Sequence, residues 1–191
     1  MHSRIVVVLI LLIGYSTCSS STYKAAVVEY AGVYSTEHVT REQALSIMSQ
    51  NLDNYEKFIQ KSSEESVNII LFPEDGLYGV DFYSKDKILP YLEYLPDVPV
   101  PYTDAPAIYP CQFTGQEKQQ SPILVRTSCM AEKYNITIVL DMGEVRYCNQ
   151  LTPNCPRDGR FQYNTLIAVS NTGQVTIPIP CSNEFKMLIE K

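Results

Sequence analysis

Short apolar runs bracket one long helical stripe at the start of this chain. Residues 23–31 (YKAAVVEYA) are rich in small and β-branched side chains and read as a first strand, followed by a loop from Gly32 to Val39. Thr40 with Gln43 three positions on forms a capping box, after which Leu45, Met48, Leu52, Tyr55 and Ile59 recur at steps of three and four. That spacing predicts an amphipathic helix of about five turns. Residues 62–66 are polar and turn the chain into 67–72 (VNIILF), a near-continuous apolar run of the kind that forms a parallel strand covered on both faces. Strand, helix, strand in this order implies a right-handed βαβ unit.

A second such pattern follows. Ser121 and Pro122 supply an N-cap and a first helical position for a helix through Tyr134, which leads into an apolar strand over 136–142. Residues 161–170 and 174–177 flank Asn171, Thr172 and Gly173 and read as an antiparallel hairpin. The Tyr- and Pro-rich stretch 77–110 carries one short helix over 85–95, with Pro90 limiting its regularity. Such stretches wall a cleft more often than they form a core. These elements place the chain in the α/β class.

Composition narrows the function. At 191 residues and 45% hydrophobic content the chain suffices for one domain with a real core. A net charge of −6 without a Lys/Arg cluster argues against nucleic acid or an anionic membrane surface as partner. Arg4, the apolar run 5–13 and the small polar residues 16–21 have the layout of a secretory signal peptide, with cleavage after Cys18 or Ser19. The leader is assigned to 1–19, and an uncleaved signal anchor is the alternative. Its apolar core falls short of the roughly 20 residues that span a bilayer, so no membrane span is expected in the mature chain and secretion is.

Five cysteines then remain in an oxidising compartment. Among three connectivities for four of them, the sequence-local pairs Cys111 with Cys129 and Cys148 with Cys155 are favoured, which leaves Cys181 over. Neither a CxxC pair nor a histidine pair at ligand spacing is present, so no metal is expected. Asn135, Ile136 and Thr137 form the one glycosylation sequon.

The candidate chemistry lies in 69–82 (IILFPEDGLYGVDF), where a buried strand ends in an acid flanked by turn formers. Glu74 at a sheet rim is expected to sit half out of water, its pKa raised by desolvation for general acid or base work. The bland alternative is a strand-end carboxylate capping a turn. Asp75 reads as a turn residue, the tyrosines as loop packing rather than cleft lining, and Asn164 as a satisfier of backbone groups. Ser-His-Asp chemistry has no support, since only His38 survives leader removal and GxSxG is absent. Phosphate-cradling glycine loops are also absent.

Four segments carry a family resemblance: FPEDG at 72–76 with the following LYGVDF, SCMAEKYNITIVLDMG at 128–143, and CPRDGRFQYNT at 155–165. Together they resemble the vanin and biotinidase branch of the nitrilase, or carbon-nitrogen hydrolase, superfamily. The resemblance runs from about Tyr23 to Val175. It implies an αββα sandwich, of which this chain is the N-terminal part: a mixed sheet with helices packed on it, the C-terminal portion missing. Residues 20–177 are the partial hydrolase domain and 178–191 a divergent tail. It also implies amide hydrolysis by a Glu, Lys and Cys triad, on small amides of pantetheine or biotinyl type, without metal or organic cofactor. Glu74 matches the glutamate.

The other two members find no match. By spacing, Pro180 falls where the lysine belongs, and proline has neither an ammonium nor a backbone N–H. Lys186 comes about two helical turns too late, and Cys181 lacks the strand-to-turn setting that orients a nucleophile. The chain is therefore expected to be inactive alone, with an exposed apolar patch where the missing half would pack and oligomerisation left open. The tail 184–191 has Phe185, Leu188 and Ile189 on one helical face but is too short for an isolated helix. The alternatives are a secreted non-catalytic binding protein on the same scaffold, or a product of a misassigned gene.

Overall fold

A computed structural model describes residues 22–79, 82, 84–97 and 107–180, with 177–180 as backbone alone. The leader, Cys181, Lys186 and the tail 184–191 lie outside the described residues. Five strands and four α-helices are present among those described: β1 Ala25–Val27, α1 Arg41–Glu64, β2 Ile69–Leu71, α2 Lys85–Ile88, α3 Gly115–Gln120, α4 Pro122–Tyr134, β3 Thr137–Tyr147, β4 Arg160–Val169 and β5 Val175–Pro180. They form one mixed sheet in the order β1-β2-β3-β4-β5. β1, β2 and β3 run parallel, as the two strand-helix-strand patterns require, and β4 and β5 return antiparallel.

The capping box on α1 is formed in both directions: the Thr40 hydroxyl accepts from the Gln43 N–H, and the Gln43 side chain accepts from the Thr40 N–H at 2.8 Å. The helix spans 24 residues, longer than its apolar stripe. It persists through polar Ser62 and Ser63 because Ser63 is used, its hydroxyl donating to the Tyr134 carbonyl at 2.7 Å. β3 likewise outruns its apolar stretch. Its extension is paired throughout, since β4 follows it in unbroken register from Ile138 with Val169 to Tyr147 with Arg160.

Two local expectations are corrected. The predicted helix 85–95 ends early: α2 stops at Ile88, a 3-10 turn Leu89–Tyr91 contains Pro90, and Leu92 is already extended at ψ 143°. The same region feeds the core, with Leu77, Tyr78, Ile88, Tyr91, Leu92 and Leu95 all buried, while Leu89, Pro90, Leu92 and Tyr94 line a cavity. The second correction concerns the start of α4. Ser121 does not cap it; its hydroxyl donates to the Tyr94 carbonyl. The cap comes from Glu93, whose two carboxylate oxygens accept the N–H groups of Ile123 at 3.0 Å and Leu124 at 3.1 Å. A carboxylate satisfies two orphan donors where a hydroxyl satisfies one, and it complements the positive end of the helix dipole.

Cys111 is bonded to Cys129, tying the segment before α3 to α4, and Cys148 is bonded to Cys155 across a tight loop. On the sheet, Ile70, Ile138, Leu140, Met142, Ile167 and Val169 are at most 1% exposed and join Met48, Leu52, Tyr55 and Ile59 of α1 in one core. No helix among the described residues is long and apolar enough to cross a membrane.

Candidate functional site

The turn after β2 is built by both layers of the fold. Pairing of β2 with β3 persists one step past the strand, where the Phe72 N–H donates to the Val139 carbonyl at 2.9 Å. Pro73 then leads into a turn closed by hydrogen bonds from Gly76 to the Pro73 carbonyl and from Gly79 to the Asp75 carbonyl. Asp75 sits at φ 56°, in the left-handed region that side chains other than glycine seldom adopt. Gly76 is required by space: a Cβ there would lie 2.1 Å from the Tyr55 hydroxyl.

Helix α1 holds the far end of the turn through Asn51, which is fully buried. Its carbonyl oxygen accepts from the Val33 N–H at 2.7 Å and from the Tyr30 hydroxyl at 2.9 Å. Its amide donates to the carbonyls of Val33 and Leu77, both at 2.8 Å. All four valences of the side chain are thus used, as burial of a polar group demands. Strand β3 holds the near end, Asp141 accepting the Asp75 N–H at 3.0 Å and the Tyr78 hydroxyl at 3.4 Å on the same oxygen.

Glu74 itself is exposed, not half-buried. The acidic neighbours on either side of the turn are the covered ones. Burial pushes Asp75 up to about 6, with the charge of Glu74 adding to the effect. Burial also pushes Asp141 up to about 7; the Asp75 N–H opposes that rise, and the charges of Asp75 and Glu74 add to it. The buried Tyr78 phenol is raised well above its ordinary range for the same first reason. Glu74 is oriented by Asn164 on β4, whose amide donates to Glu74 Oε1 at 2.8 Å. Asn164 faces Gly143 in the β3–β4 register, so it stands at the sheet rim beside the turn. Its bond to the acid corrects the expectation that it serves backbone groups.

The remaining candidates stand apart. Asn135 is exposed in the left-handed conformation that ends α4, and its carbonyl oxygen accepts from the Asn171 amide at 2.9 Å. Pro180 pairs with Thr165 at the end of β5. A cavity of about 840 Å³ opens further along β3, lined by Arg41, Leu92, Tyr94, Gln120, Val145 and Tyr147 among others, without Glu74. No group of three or more His, Cys, Asp or Glu among the described residues could hold a metal ion.

The carbon-nitrogen hydrolase family matches residues 25–184. The chain belongs to that family. It is 36% identical to human biotinidase over 154 residues, which make up 79% of this chain and 27% of that protein. To the pantetheinase of Mus musculus it is 38% identical over 160 residues, 82% of this chain and 30% of that protein. The chain therefore spans less than a third of the length of these relatives. Among solved structures, an amidase from Nesterenkonia sp. shares 13% identity at a TM-score of 0.44, over 83% of this chain and 42% of that one.

Three residues of the site region carry more than their sequence setting announced. Asp141 and Glu93 each interrupt an apolar run, in IVLDMG and LPYLEYLP. A charge embedded in a buried run costs too much to persist without partners, and that is the signal that singles them out. Asn51 interrupts the apolar face of α1 in the same way.

Proposed function

We propose that this chain is the glutamate-bearing part of a secreted amidohydrolase that cleaves linear amides of pantetheine type, with Glu74 as general base. The observation that carries the reading is Glu74 held at the end of β2 by the Asn164 amide at 2.8 Å, in a chain of the carbon-nitrogen hydrolase family. In the reaction a carboxylate takes the proton of a cysteine thiol, and the thiolate attacks the amide carbon. An ammonium stabilises the tetrahedral oxyanion, the carboxylic acid passes the thiol's proton to the nitrogen as the C–N bond breaks and the amine leaves, and water then cleaves the thioester to release the acid and restore the thiol. Glu74 is suited to the first step because it faces solvent, where a thiol can approach, while its direction is fixed. The four described cysteines are all in disulfides, and among the described residues Glu74 has no ion pair. On this reading the lysine and the nucleophile lie outside the described residues, and this chain by itself is expected to show no turnover. The two disulfides support an oxidising, extracellular setting, in which exposed Asn135 is a glycan acceptor.

The test is a chimera in which residues 23–176 replace the matching segment of mouse pantetheinase. It should hydrolyse pantetheine and lose at least a hundredfold in kcat on Glu74→Gln, while this chain alone should show no turnover. A folded but inactive chimera, or turnover indifferent to Glu74, refutes the assignment.

A further inference from the structure

Past Phe72 the edge of β3 that pairs with β2 is left open until Glu93 pairs with it in parallel at Glu144, and the Glu74 turn docks on the gap between them. Asp141 stands on that stretch of β3, 4% exposed. One of its oxygens collects both donors the turn offers, the Asp75 N–H at 3.0 Å and the Tyr78 hydroxyl at 3.4 Å. The first of these matters most for Glu74. Asp75 is the very next residue, and it is held at φ 56°, in the left-handed region that a residue with a side chain enters less readily than glycine. A backbone held there needs a tether, and Asp141 supplies one from a rigid strand.

We propose that Asp141 is a positioning residue for Glu74: by fixing the left-handed Asp75 backbone it aims the Glu74 carboxylate at the Asn164 amide. This rests on the reading of Glu74 as general base, but its test does not depend on turnover. The alternative geometry is easy to state. Without an acceptor at 141, Asp75 relaxes to an ordinary negative φ, the peptide joining it to Glu74 rotates, and Glu74 swings away from Asn164 while Asn51 still holds the Leu77 end of the turn. The role needs an acceptor rather than a charge. A neutral acid keeps a carbonyl oxygen for the two donors, so the proton that burial favours on Asp141 does not break the tether.

Side-chain amide NMR of the mature chain separates local positioning from general stability. Asn164 reports the Glu74 contact, and Asn51 reports the other anchor of the turn. Asp141→Ala should remove the response of the Asn164 amide to Glu74→Gln and leave the Asn51 amide in place, whereas Asp141→Asn should retain both signals. An Asn164 amide unmoved by Asp141→Ala overturns the proposal, and so does an Asn variant that behaves like Ala, or loss of both amides together. If Asp141→Ala does not fold, exchange of the Asp75 amide in the unaltered chain decides. Protection at least tenfold above that of exposed turn amides is expected, and exchange at the exposed rate overturns the tether. Failure of the chimera to hydrolyse pantetheine would leave each of these outcomes readable.

Discussion

Replacing Glu93 with glutamine should remove one identifiable part of the pH dependence of this protein's stability. Glu93 is 1% exposed, and burial pushes its carboxyl from 4.5 up to about 7, against the pull of the Ile123 and Leu124 N–H groups and of Arg41 at 3.5 Å. Between those two values the folded chain binds a proton that the unfolded chain has released. Stability from this group is therefore fully present below about pH 4.5 and is lost as pH rises through about 7. Integrated from pH 5 to pH 8, the loss is about 2.5 kcal/mol, with no discount for solvent because the group is buried. Asp141 and Asp75 shift in the same direction, so the wild-type slope alone is not diagnostic. The difference between wild type and Glu93→Gln isolates the one residue. Glutamine offers a single acceptor oxygen, leaving one N–H of α4 unpaired at a cost of roughly 1–3 kcal/mol. The variant should thus be clearly less stable than wild type at pH 5 and close to it at pH 8. Urea unfolding of both proteins at the two pH values gives the double difference directly. Parallel pH profiles within about 0.5 kcal/mol, or a wild type that gains on the variant as pH rises, would show that Glu93 is not the neutral buried acid described.

Four further outcomes are expected. Gly76→Ala should destabilise by roughly 1–3 kcal/mol through collision with the Tyr55 hydroxyl, and Tyr55→Phe, which removes a buried hydroxyl with no hydrogen-bond partner among the described residues, should restore much of it in a double-mutant cycle. Opening Cys111–Cys129 by paired serines should cost about 3 kcal/mol in denaturant and opening Cys148–Cys155 somewhat less, following their loop lengths; equal losses contradict the loop-length account. Secreted material should lose one glycan's mass on deglycosylation and on Asn135→Gln, and an unchanged mass refutes glycan attachment there. The mature chain at high concentration should bind ANS through the sheet face that carries Val27, which is 81% exposed, whereas a monodisperse chain that binds no dye argues against an open face.

Periodicity resolved the parts of this fold that local spacing controls. The capping box at Thr40, the α1 stripe and the hairpin about Gly173 each depend on contacts within a few residues, and each is present. Where a long-range partner decides, the local signal failed. Ser121 looks like an N-cap because serine usually is one, but Glu93, 30 residues away from Ile123, outcompetes it with two carboxyl oxygens, one for each of two N–H groups. The Tyr- and Pro-rich stretch after Glu74 looked like loop lining, yet Tyr78 and Tyr91 are buried because Phe82 and each other give their rings partners. At the site, the position of Glu74 was legible from FPEDG, whereas its orientation was not. The Asn164 donor is 90 residues downstream, and only the β3–β4 register brings it to the rim.

The exposure of Glu74 and the state of the sheet have a common cause. Cross-strand register sets Val27, Leu71, Val139 and Ala168 side by side on the face opposite the helices. Their neighbours on the helix face, Ile70, Ile138 and Val169, are at most 1% exposed, while these four are exposed or only partly covered. A sheet apolar on both faces is stable when both are covered. Asp141 lies on this second face and Glu74 at its rim, so whatever covers the face also closes over the carboxylate. If Glu74 is the general base proposed above, its nucleophile comes from that side, since on the other Tyr55 stacks on Phe72 at 3.8 Å and fills the space beneath the turn. Cover and catalytic partner are then one requirement. On that reading the thiol arrives with the cover, while Asp75, Asp141 and Asn164 have set the direction of the Glu74 side chain beforehand.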